Sequence, residues 1–165
     1  MRITVPALLV AALAGGLSDE AAGQATIARK ALTLAGAKAV AAAAAAEAKR
    51  GQEGGSIAIV DGGGNLMYLE RLEPTFAMGA HIATEKARTA ALFQRPSKAL
   101  EDVILGGRST LLTVVPAPLQ GGEPIVVDGE IVGAIGVSGA ASAVRDQVIA
   151  AAGAAALGTA TSVSR

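Results

Sequence analysis

Apolar positions along this chain follow two rhythms. In "LTLAGAKAVAAAAAAEAKRG", Leu32, Leu34 and Val40 punctuate an alanine-rich run whose charged residues fall on different faces. That spacing predicts a helix packed on a sheet, with Thr33 as cap, Lys49 and Arg50 in the last turn and Gly51 as the stop. Short β-type runs follow near 56–61 and 66–72, closed by Pro74, and predict a hairpin. A second helix is expected from about Ala77 to Phe93, stopped by Pro96. A shorter third one has Ser97 as N-cap, Glu101 and Asp102 near its positive end, and Gly106 and Gly107 as its stop. The pattern then turns to β. "TLLTVV" at 110–115 reads as a strand, "EPIVVDGEIVGAIGVSG" as a hairpin turning at Asp128 and Gly129, and "ASAVRDQVIAAAGAAAL" as a closing helix. Strands joined by hairpins predict an α+β domain with a mainly antiparallel, five-stranded sheet and helices packed on its faces.

Three consecutive glycines, Gly62 to Gly64, separate the first two strands. A phosphate-binding loop would need a helix N-terminus after the glycines, and the residues from Leu66 to Leu72 suit a strand instead. Met67 stands where the third glycine of a dinucleotide loop would be, and no Gly-Lys-Ser/Thr follows. The glycines therefore read as a turn. Asp61 is expected to hydrogen-bond its backbone, while a glycine and Asn65 supply the positive φ of a turn with a bulge.

With 165 residues, 52% of them apolar, the chain has the length and the core material of one domain. Fourteen basic residues balance fourteen acidic ones, and Tyr68, Phe76 and Phe93 are the only aromatics, which argues against a nucleic-acid partner. Small side chains bury little area per element, so a homo-oligomer is expected. Arg2, the apolar "ITVPALLVAALAGGL", the polar "SDE" and small residues ending at Ala25 follow the order of a secretory signal. The expected organisation is a signal at 1–25, a domain at 26–165, and a secreted or periplasmic product. An apolar N-terminal helix or a retained anchor is the competing reading. No later stretch has the length and apolarity of a membrane span. The absence of cysteine excludes disulfides, thiolate metal sites and a cysteine nucleophile.

His81 is the only histidine, so one chain cannot build a site from several imidazoles. Glu85 stands four residues on, where it can orient the imidazole or simply pair on a helix surface. Lys86 and Thr89, three apart, are expected on the same face beside them. Ser138, in "GVSGA", lacks the frame of a hydrolase serine. Arg71, Lys86 and Arg88 supply positive charge, Gly121 and Gly122 permit close backbone approach, and Ser97 and Gly139 stand at helix starts, a combination that suits an anion. A solvated charge, a turn or a cap is the bland alternative for each.

"KARTAALF" at 86–93, "GGEPIVVDGEIVGAIGVSG" at 121–139, Asp146 soon after, and "VDGGGNL" at 60–66 together resemble the GlcG/HbpS family, which is haem-binding-protein-like and related to the PduO C-terminal domain. The resemblance spans roughly residues 31–157. It implies a profilin-like or PAS-like sandwich, homo-oligomers and, in secreted members, haem binding linked to haem degradation or redox sensing. It leaves open whether any reaction is catalysed. A small organic acid bound by an accessory protein or enzyme of a catabolic pathway is the alternative. The charges of Lys86, Arg88 and Arg71, together with two glycine pairs that leave no bulky side chain in the way, place the expected ligand pocket where the start of the second helix, the "GGEP" turn and the "VSGA" helix start approach, within one chain or between subunits. His81 is then the metal ligand expected for haem, with Met67, Met78, Tyr68 and Ser97 as weaker candidates. Phe76, Met78, Ile82 and Phe93 are the material for an apolar wall.

Overall fold

The computed structural model describes residues 25–158. Apart from Ala25, the expected signal segment lies outside the described residues. The elements in chain order are α1 (Leu34–Arg50), β1 (Gly55–Asp61), β2 (Leu66–Leu72), α2 (Gly79–Phe93), α3 (Ser97–Leu105), a 3-10 turn (Ser109–Thr113), β3 (Gly122–Val127), β4 (Glu130–Ser138) and α4 (Ala143–Ala154). The strands form one antiparallel sheet in the order β2-β1-β4-β3. This is an α+β architecture with helices on both faces.

Alternation along the central strands divides the core between the two faces. Ile57 and Ile59 of β1 and Ile135 and Val137 of β4 pack with Val40 and Ala44 of α1 and Ile149 of α4. On the other face Val60 and Ala134 meet Ala87, Ala90 and Ala91 of α2. β1 is covered on both sides, which is why its residues from Gly55 to Val60 are all buried. α1 presents Ala37, Val40, Ala41, Ala44 and Ala48 to the sheet, one stripe at helical spacing. The Thr33 hydroxyl caps it by accepting the Gly36 amide at 3.1 Å. Gly51 ends the helix in a right-handed conformation, and Gln52 takes the left-handed one expected of the glycine.

Both hairpins form at the expected residues. Asp61 Oδ1 accepts the amides of Gly63 and Asn65, both at 2.9 Å, and Gly64 supplies the positive φ of 81°. Asn65 does not share that conformation; its side-chain amide binds the Asp61 carboxylate instead. The Asn65 amide, helped by Gly63, holds the Asp61 carboxyl below its usual range. These amides are thus occupied by a carboxylate, and a strand follows them, so the glycines turn the chain and leave no phosphate cradle. Asp128 (φ 49°) and Gly129 (φ 80°) make the two-residue turn of the second hairpin, whose left-handed pair suits the twist of the strands.

Two further expectations fail. Among the described residues the sheet has four strands, because "TLLTVV" forms the 3-10 turn and its exit instead of a strand. Pro116 and Pro118 lack the amides that a ladder needs, and Leu112 and Val114 are exposed. Ser97 is the first residue of α3 and not its cap; Glu101 and Asp102 lie past the first turn. The Ser97 hydroxyl leaves its own helix, accepting the Gly122 amide at 2.8 Å and donating to the Leu119 carbonyl at 2.5 Å.

Glycine lets α2 lie almost in backbone contact with the sheet. A Cβ on Gly136 would stand 2.0 Å from the Ala83 carbonyl oxygen and 2.6 Å from the Ala87 amide nitrogen. Neither backbone atom can turn aside. Gly136→Ala is therefore expected to cost about 1–3 kcal/mol by overpacking, read as a lower urea midpoint at unchanged m-value.

Candidate functional site

The three segments expected to frame one site do not meet at one place: the "GGEP" turn and the end of β4 meet α2 at Lys86, two turns into the helix, whereas the start of α2 meets Ser138. Lys86 Nζ donates to Asp146 Oδ2 at 2.8 Å and to the Val137 carbonyl at 2.9 Å, joining α2 to α4 and β4. Both side chains are almost fully buried. Asp146 Oδ1 accepts the Ala140 amide at 2.9 Å, which fixes the entry to α4. A Cβ on Gly121 would come within 3.0 Å of the Lys86 amine, so that glycine makes room for the ion pair. Gly122 packs equally closely on the Lys86 carbonyl. Thr89 accepts the Ala117 amide at 3.0 Å, and Ser97 bridges Gly122 and Leu119. Lys86, Thr89, Ser97, Gly121 and Gly122 are therefore brought together in a polar centre that is satisfied within the chain.

His81 and Glu85 face elsewhere. Lys86 and Thr89 are buried, whereas His81 is exposed and Glu85 only partly covered, so the four do not share one face as expected. The His81, Glu85, Arg88 and Leu92 spacing traces a second stripe on α2. Arg88 binds Glu85 at 2.7 Å and the Gly64 carbonyl at 3.0 Å, and Leu92 lies against Gly64, so this stripe runs beside the first hairpin. The register pairs Ser56, Ala58 and Val60 with Arg71, Leu69 and Leu66, which puts those three β2 residues on the face that α2 occupies. α2 covers β1 and β4 but leaves β2 open, with Leu66 and Leu69 exposed by 48% and 39%. The result is an uncovered face of β2 beside the second stripe, with Phe76 and Met78 also exposed and a cleft of about 470 Å³ lined by Arg71, Glu73, Pro74 and Thr75. Met67 and Tyr68 pack instead toward the larger core. Ser138 and Gly139 lie at the start of α2, behind Thr75 and Phe76.

Sequence reading passed over the pairing of Asp146 with Lys86, although an aspartate in the first turn of a closing helix is a natural partner for a buried amine. It also missed Ser56, Thr75 and Glu123. Glu123 is half-buried on the edge strand β3, and desolvation pushes its carboxyl up to about 7.

A four-stranded antiparallel sheet between helical layers, with a sealed ion pair under α2 and β2 left uncovered beside it, defines a small α+β domain. The chain belongs to the HbpS-like family, described as "Haem degrading protein HbpS-like", whose model matches residues 32–155. It is 44% identical to Protein GlcG of Escherichia coli (strain K12) over 103 residues, which are 62% of this chain and 77% of that one. A crystal structure of a double mutant of Streptomyces reticuli HbpS superposes with a TM-score of 0.74 at 32% identity, covering 93% of this chain and 99% of that one. The PduOC:Heme complex superposes at 0.68 and 27% identity, covering 77% and 95%.

Removing one partner of the buried pair leaves a charge without compensation. Lys86→Ala should lose about 3–5 kcal/mol in urea unfolding, and a loss below about 1 kcal/mol would show that the pair contributes little. For Glu123 the raised carboxyl favours the protonated form in the folded state. Its contribution is present below the unfolded value near 4.5 and is lost as pH rises through about 7. Glu123→Gln should accordingly unfold at higher temperature than the parent at pH 8, with the difference vanishing at pH 4.

Proposed function

We propose that the protein is an exported haem-binding protein that holds haem against the uncovered face of β2 beside α2. The observation that carries this reading is the chain's single histidine, exposed on α2 three residues after Met78, with Met78, Phe76 and Leu69 exposed by 53%, 49% and 39%. Apolar side chains gathered on a surface mark a place that something covers. The residues present fit the group: an imidazole for the iron, apolar side chains for the macrocycle, and Arg71 for a propionate. Bound haem would supply the redox chemistry on which a degrading or sensing role depends. The chain's own residues would orient it and limit its contact with water. The family and the haem complex of its structural neighbour support the reading.

Export rests on the charged, apolar and small-residue order of the first 25 residues. The profilin-like or PAS-like sandwich belongs to the same proposal, supported by helices on both faces of an antiparallel sheet. Homo-oligomer assembly does too. Val103, Leu105, Leu112, Val114 and Leu119 are exposed on α3 and the segment after it, and a second copy of the chain would cover them. Similarity to GlcG and the cleft beside Arg71 favour a second reading, a small organic acid as ligand.

Hemin added to the purified protein should give a Soret band that saturates at one haem per subunit or per subunit pair. His81→Ala should shift that band and weaken binding. An unchanged maximum removes His81 as the ligand, and a featureless titration removes the haem reading.

A further inference from the structure

Ser138 is 4% exposed, and its hydroxyl has no hydrogen-bond partner among the described residues. No fully buried side-chain oxygen among the described residues lacks a partner, so this hydroxyl is the part of the residue that still reaches solvent. Alternation along β4 fixes its direction. Gly136, two residues earlier, faces α2 at Ala83 and Ala87, so Ser138 faces the first turn of the same helix. Its carbonyl lies 3.5 Å from where a Cβ of Gly79 would stand. Ser56, directly opposite on β1, is fully buried and holds only a long 3.4 Å contact with the Thr75 hydroxyl.

The helix start they face is unsatisfied as well. Met78 provides no side-chain cap, and the amides of Ala80 and His81 have no acceptor among the described residues. Those donors and the positive end of a 15-residue helix favour an anion. Arg71 sits opposite Ser56 on β2 and forms no ion pair among the described residues. The cleft that it lines with Thr75 also contains Glu73, so the site accepts an anion of limited charge.

We infer that Ser138, Ser56, Thr75, the first-turn amides of α2 and Arg71 form a carboxylate-binding subsite. The carboxylate is either the propionate of a haem lying on the uncovered face of β2 or that of a free small organic acid. The subsite stands on the unpartnered hydroxyl and the bare helix start, so it survives failure of the haem reading.

Ser138→Ala separates this role from a structural one. In the absence of ligand the variant should keep the parent's Tm, because no hydrogen bond is removed. Binding is then measured by calorimetry for acetate, lactate and oxalate, and by Soret titration for hemin and hemin dimethyl ester. If a free acid is the source, one of the three acids binds, and Ser138→Ala weakens it about tenfold or more. If haem is the source, the acids stay silent, hemin binds more tightly than its ester, and Ser138→Ala abolishes that preference. Arg71→Gln should reduce the same binding and its salt dependence. The inference is overturned if Ser138→Ala leaves every measured affinity unchanged, or if it lowers the Tm of the unliganded protein as a lost structural hydrogen bond would. Loss of the Soret response alone, with acid binding intact, overturns the haem reading and leaves the subsite standing.

Discussion

Backbone contact between α2 and the sheet is the constraint from which the rest of this architecture follows. Gly136 and Gly122 bring β4 and β3 against the α2 main chain at Ala83, Ala87 and Lys86, and Ala87, Ala90 and Ala91 keep the other contacts short. Helix and sheet meet here main chain against main chain. Gly153 does the same on the opposite face, where a Cβ would stand 3.0 Å from the Val40 carbonyl, so α4 and α1 also pack closely. A chain whose cores are mostly alanine, valine and isoleucine gains contact from proximity more than from bulk.

The same constraint explains the position of the charges. A lysine in the face of α2 that touches the sheet has no route to water, and it is tolerated because Asp146 and the Val137 carbonyl meet its amine. Arg145, one residue before Asp146, pairs with Glu47 near the end of α1 and with Glu53 just beyond it; Arg50 together with Arg145 holds the Glu47 carboxyl below its usual range, and Arg145 does so for Glu53. The start of α4 is thereby tied to both layers. Because α2 is drawn over β1 and β4, it cannot also cover β2, and a surface able to accept a ligand is left there. The buried amine keeps the fold together while the exposed imidazole and guanidinium remain free to act.

Much of this was legible in the sequence. The alanine helix, both hairpins with their turn residues, the α2 span to within two residues and the closing helix follow from periodicity and turn chemistry. The third β run was misread because β-branched residues were weighed above the two prolines beside them, which deny the segment a ladder. Ser97 has the composition of a cap, but the sheet edge claimed its hydroxyl. At the site, residue types pointed to the right segments without telling which were sealed. Lys86 and His81 are five apart on one helix, and only the placement of Asp146 and Gly121 decides that the first turns inward. The family's motifs coincide with this close-packed centre, so a resemblance carried by "KARTAALF" and "GGEP" speaks first to the fold.

The central claim is that ligand binds at the open β2 side of α2 and not at the sealed Lys86 centre. Ferric haem is paramagnetic and broadens nearby amide resonances, so one NMR spectrum recorded with substoichiometric hemin tests it directly. The account predicts broadening of Leu66, Leu69 and Arg71, of Phe76 through Glu85, and of Ser138, with Gly121, Gly122 and Asp146 affected least. Broadening centred on Gly121, Gly122 and Asp146 while β2 stays sharp would contradict it.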